Sequence, residues 1–233
     1  MGRQVKGLLY FFTADSMRTL AIFWGILSGT LLLNLVIAYF LVDVTDTRML
    51  FIIPFGTYIF CAIFGFVTVK QCIPFAIKMG ATRKNIYASI GIFFLLLAIF
   101  KAVLSSTMQS VLMFLIDLFQ IKTFSLVHPA ALLQDTWLTR IVLDASMMVL
   151  ILTIMFFVGL IFYRFGLLGG GVFSGVIVIV MLLGLAKGTI FDVATQLYKN
   201  IDMTLFYQIS FIAFLLYVCT WIFIRKITVH GAK

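Results

Sequence analysis

The sequence predicts an all-α integral membrane protein with six transmembrane helices, an N-terminal interfacial helix and both termini cytoplasmic. Three observations lead there. Hydrophobic residues make up 64% of the 233 and charged residues only 11%, with a mean hydropathy of +1.20, too apolar for a water-soluble globule of this size. Six apolar runs approach or exceed the ~20 residues needed to cross ~30 Å of hydrocarbon. The basic residues lie at the ends of those runs and alternate in number from side to side.

The first 18 residues form the opening unit. Val5, Leu8, Leu9 and Phe12 recur at helical spacing opposite Arg3, Gln4 and Lys6, the pattern of a helix lying on a membrane surface, with a frayed tail as the alternative. Asp15 or Ser16 then caps the first span. No early cluster of small residues follows a short apolar core, and the first apolar run, from Thr19, is long enough to span, so the N-terminus is expected to be retained. Residues 19–224 make the transmembrane domain, with spans at about 19–42, 49–69, 86–116, 141–163, 166–186 and 205–224. The gap at 117–140 is too small for an independent domain, and 225–233 form a cytoplasmic tail. Between the last two spans Ile190, Val193, Ala194 and Leu197 share a helical face, which predicts an outer interfacial helix over 187–202, with simple loop as the alternative.

Orientation follows from charge. Arg3, Lys6, Arg18, Lys70, Lys78, Arg83, Lys84, Arg164, Arg225, Lys226 and Lys233 fall on one side, against Arg48, Lys122, Arg140, Lys187 and Lys199 on the other. The richer side is expected to be cytoplasmic. Asp43, Asp46, Asp117, Asp135, Asp192 and Asp202 sit in or beside the outer loops.

Several function classes are excluded by composition. The net charge of +9 comes from topology signals and lipid-headgroup contacts, so no nucleic-acid partner is expected. All eight acidic residues are Asp, which rules out mechanisms requiring a Glu base. Cys61, Cys72 and Cys219 have neither disulfide nor metal spacing and read as structural. A GxxxxGK[ST] loop is absent: the cluster from Gly166 to Gly175 has no Lys and lies in an apolar run. No cofactor is expected on this chain, and no enzyme either. His128 in an outer loop and His230 in the tail cannot serve Ser174 as a base. A Lys101–Ser105 dyad is geometrically conceivable, but that pairing on one helix face is ordinarily packing.

The stretch from Lys70 to Ile90 gathers four basic residues around Pro74 and Gly80. Pro74 is expected to end the second span. A short cytoplasmic helix, PFAIKM, follows, Gly80 takes the positive φ of a turn, and Thr82 caps a helix beginning at Arg83. By physics alone this is a basic loop, a surface helix or a docking element. The run KMGATRKNIY resembles the intracellular loop after the second span of bacterial ABC-transporter permeases. With six spans and short outer loops, the whole chain resembles a small ABC-2 type permease subunit that works beside a separate ATPase. That resemblance implies a coupling segment at 70–85. In it Phe75, Ile77, Lys78, Met79, Gly80, Thr82, Arg83 and Lys84 meet the ATP-binding subunit, which carries the ATP and Mg. It also implies that the first and fifth spans face a second permease copy or a paralogue. Gly25 with Gly29, and Gly171 with Gly175, are GxxxG pairs on those spans, fit for a dimer interface or for packing within one subunit.

Within the third span Lys101, Ser105 and Gln109 recur every four residues, on one face. Two readings follow: a translocation path, or a lysine that snorkels outward and pairs with Asp117 or Asp144. The expected function is the permease subunit of an ATP-driven exporter of amphipathic or hydrophobic cargo. Antimicrobial or cytolytic peptides lead, and lipid-linked or glycan precursors follow. The alternative is a stand-alone secondary transporter or membrane regulator.

Overall fold

The computed structural model describes residues 2–41, 49–121, 123–199, 201–225 and 227. The charges of Arg48, Lys122, Lys226 and Lys233, Asp43, Asp46 and His230 lie outside the described residues. In chain order the elements are α1 (Gly2–Phe40), β1 (Met49–Phe51), α2 (Ile53–Lys78), α3 (Arg83–Leu118), β2 (Phe124–Leu126), a 3-10 turn (Pro129–Leu132), α4 (Trp137–Ala186), α5 (Thr189–Lys199) and α6 (Met203–Ile224). α1, α2, α3, α4 and α6 are each long and apolar enough to cross a membrane.

α1 corrects the expected split between an interfacial helix and a first span. It is one helix of 39 residues, about 58 Å long. No Gly or Pro interrupts residues 8–24, and the buried stripe Leu8, Phe12, Ser16, Leu20 continues through the expected break. The Ser16 hydroxyl donates back to the Phe12 carbonyl within the helix, so it caps nothing.

α2 makes two further corrections. Residues 49–51 precede the helix as an extended strand, because Pro54 sits in the first turn of α2, where its missing N–H costs nothing. The strand pairs in parallel with β2, Met49 opposite Phe124. At the other end the helix runs through Pro74 to Lys78, and PFAIKM is its last turns, not a separate helix. The lost hydrogen bond is offset by burial on both sides of the proline, since Cys72, Ile73 and Ala76 all lie in the main core.

The α2–α3 connection forms as expected. Gly80 has φ +77°. Its N–H reaches the Ile77 carbonyl at 2.9 Å and that of Ala81 reaches Ala76 at 3.0 Å, the paired bonds of a Schellman stop. Thr82 caps α3, accepting from the Asn85 N–H at 3.4 Å.

The expected fourth and fifth spans fall within a single helix, α4, on either side of a break. At 50 residues it is about 75 Å long, more than twice a hydrocarbon core. Gly166 breaks it with φ 69° and ψ −171°, a combination open only to glycine. The Phe157 and Phe173 rings, eight residues to either side of Phe165, meet 6.2 Å apart, so the second limb turns back beside the first.

α4 packs most extensively on α2, then α6, then α3. The α2–α4 contact is backbone-close. A Cβ at Gly65 would stand 2.6 Å from the Leu152 carbonyl oxygen, and one at Gly159 would stand 3.0 Å from that of Phe66. α5 forms where an outer amphipathic helix was expected.

The ends of the bundle sort by contact. At the basic end Phe11 stacks on Phe75 at 4.2 Å, Asn85 donates to Gln4, and Arg83 Nη1 donates to the Arg225 carbonyl at 2.6 Å. The start of α1, the α2–α3 turn and the close of α6 therefore share one end. At the far end the Thr123 hydroxyl donates to Ala38 at 2.8 Å and the β1–β2 ladder closes over α1 and α3.

Candidate functional site

Three places carry chemistry beyond packing: the α2–α3 tip, the buried polar face of α3, and a cluster around Asp144.

At the tip, Phe75, Lys78, Met79, Gly80, Thr82, Arg83 and Lys84 are exposed and Ile77 is half-buried. The residues expected to dock are thus brought to one surface, apart from Ile77, which packs on the core. The Schellman stop on one side and the Thr82 cap on the other hold them on a stiff hairpin. Beside it Thr82, Arg83, Lys84, Trp221 and Arg225 line a basic cleft of about 620 Å³.

Lys101, Ser105 and Gln109 share one face of α3 and all three are essentially fully buried. The expected pairing of Lys101 with an aspartate is not found. Asp117 lies sixteen residues on, ~24 Å along the helix, and is exposed. Asp144 has other partners. The Lys101 ammonium lies 3.5 Å from the Phe60 ring centroid, 3.8 Å from Phe23 and 5.6 Å from Trp24. It has no hydrogen-bond partner among the described residues, and neither do the Ser105 hydroxyl or the Gln109 amide. Three aromatic faces take the place of a counter-ion.

Asp144 is buried in the first limb of α4. Its Oδ1 accepts from the Tyr58 hydroxyl at 2.7 Å and lies 3.3 Å from His128 Nε2. The Ala130 N–H donates to His128 Nδ1 at 2.9 Å, and Nε2 lies beside the carboxylate without a hydrogen bond to it. His128, expected in an outer loop, is in that loop but buried. Tyr58 did not stand out in the sequence, and His128 was considered only as a base for Ser174. Tyr58 reads as one more aromatic in a span, and His128 is paired only through the fold. The near-lying Arg140 makes a two-pronged contact with Asp135, Nη2 to Oδ2 at 2.7 Å. Hydrogen bonding from Arg140 holds the Asp135 carboxyl below the ordinary carboxylate range.

The four expected interface glycines stand apart from all of this. Gly25, Gly29, Gly171 and Gly175 are exposed, and a Cβ on any of them would meet nothing within 4 Å. Packing within one chain, one of the two expected uses, is not how they are employed among the described residues. A largely apolar crevice of about 600 Å³ opens between α3, α4 and α6. Its hydroxyl-bearing residues are Thr153, Tyr207, Tyr217 and the bonded pair Ser146–Ser210, 3.0 Å apart. The cysteines are free, Cys61 and Cys72 buried and Cys219 exposed.

Comparison with models of protein families, with curated proteins and with solved structures gives no match to this chain.

Proposed function

We propose that this chain is the membrane-spanning permease subunit of an ATP-driven exporter, worked by a separate ATP-binding subunit. The observation that carries the reading is the α2–α3 tip. It sets exposed apolar Phe75 and Met79 beside Lys78, Arg83 and Lys84, which suits an apolar pocket with an acidic rim on a soluble partner. Because α2 is unbroken to Lys78, a push on the tip is delivered along a helix in backbone-close contact with α4. In this reading the basic end faces the cytoplasm, in keeping with its Lys and Arg. ATP and Mg belong to the partner, exposed Gly25, Gly29, Gly171 and Gly175 face a second permease copy or paralogue, and the lipid-facing surface of six crossings surrounds the rest. The apolar crevice suits amphipathic or hydrophobic cargo, with peptides ahead of lipid-linked precursors.

A second reading, a stand-alone ion-coupled transporter, draws on Asp144, whose buried carboxylate is the kind of group such proteins employ. Affinity purification in mild detergent separates the two. Co-purification of an ATPase from the native host, lost on Arg83→Glu with Lys84→Glu while the protein stays folded, is expected. A folded wild-type protein that brings down no ATPase would refute the exporter reading and leave Asp144→Asn to be tested in ion-gradient uptake.

A further inference from the structure

Three ring faces lie over the Lys101 ammonium. Phe23 and Trp24 come from α1 and Phe60 from α2, while the lysine reaches in from α3. Inorganic cations require several oxygen ligands, whereas an alkylated or primary ammonium is held well by aromatic faces. We propose that the Phe23–Trp24–Phe60 cage is a recognition site for an organic ammonium group, and that Lys101 occupies it as a tethered ligand. This goes beyond the exporter reading and does not rest on it.

Three features support a ligand site over a merely packed lysine. The ammonium sits close to Phe60 and Phe23 but stands off from Trp24 by 5.6 Å, so a methylated head would fill the cage better than the lysine does. The cage rings are half-buried, so each keeps some surface open while the ammonium and the Trp24 indole nitrogen are enclosed. Finally, Ser105 and Gln109, fully buried and without hydrogen-bond partners among the described residues, stand one and two turns further along the same face of α3. They are acceptors to which a displaced Lys101 ammonium can turn.

Trp24 is its own reporter. With Trp137→Phe and Trp221→Phe, it is the sole tryptophan of the full chain, and its emission can be followed in phosphatidylglycerol nanodiscs. Tetramethylammonium chloride should produce a saturable emission change in Lys101→Met, with sodium chloride as the ionic-strength control. Intact Lys101 should shift the half-maximal concentration upward by roughly tenfold, and Phe60→Leu in the Lys101→Met background by a similar factor. Replacing the lipid by phosphatidylcholine distinguishes sources. A change with dissolved tetramethylammonium assigns a diffusible organic ammonium, and a change only with phosphatidylcholine assigns a lipid headgroup. Lys101→Gln serves if Lys101→Met does not fold, and recovery of folded protein by tetramethylammonium would equally support the site. Emission unmoved in every arm, a response that sodium reproduces, or variants that ammonium does not recover would overturn the proposal.

Discussion

Gly65 and Gly159 have no side chain because the carbonyls of Leu152 and Phe66 stand where a Cβ would be. Gly65→Ala should cost about 1–3 kcal/mol through forced separation of α2 from α4, read as a lower unfolding midpoint in detergent. Gly25→Ala and Gly171→Ala, which face open space, should leave the isolated chain unmoved. The GxxxG spacing marked the second pair of sites and missed the first, because backbone proximity between helices distant in sequence leaves no local pattern. The same limit applies to Tyr58, His128 and Asp144, three ordinary letters joined only by topology. Lys101, Ser105 and Gln109 were legible as one face because their spacing is local, but the occupant of that face, an aromatic cage from two other helices, was not. At Asp135 the sign of the pH dependence follows from its depressed carboxyl. Its contact with Arg140 stabilises fully above the ordinary carboxylate range and is lost as pH falls through the lower native value. Asp135→Asn should therefore destabilise by up to about 1 kcal/mol at pH 7, and the difference from wild type should vanish in acid, as measured by thermal melts across pH.

Element boundaries were legible where residues carry a conformational mandate. The positive φ of Gly80 and the cap at Thr82 were both readable, and both formed. Gly80→Ala should cost about 1 kcal/mol and Thr82→Ala about 1 kcal/mol. In the exporter reading each should also loosen ATPase binding, measurable as a lower ATPase yield at constant permease yield. Signals of bias without mandate were overruled by burial. Pro74 costs one hydrogen bond but lies between buried residues, and Asp15 and Ser16 cap well but are carried inside α1 by the unbroken buried stripe that runs through Ser16. β1 and β2, three residues each, pair only because the fold brings two extended segments together, and no alternation announces strands so short.

At the scale of the molecule, the helical, multi-pass character was legible because hydropathy is summed over ~20 residues and tolerates local error, while the six expected runs fall on five long apolar helices. The boundary between the fourth and fifth segments was placed within two residues of the actual break at Gly166. That glycine holds a backbone conformation closed to other residues, so Gly166→Ala should cost about 1–3 kcal/mol and open the angle between the limbs. Spin labels on the two limbs should report a longer, broader distance distribution than in wild type.

In the exporter reading, the reversal at Gly166 also fixes the parity of the chain. If each limb of α4 crosses the bilayer, α1, α2, α3, the two limbs and α6 make an even number of passes, and an even count returns a chain to the side it left. One residue without a side chain thereby decides whether α6 ends beside the α2–α3 tip. With α4 straight the count would be odd, and Arg83 and Arg225, now joined by a hydrogen bond, would stand on opposite faces of a bilayer, separated by about 30 Å of hydrocarbon.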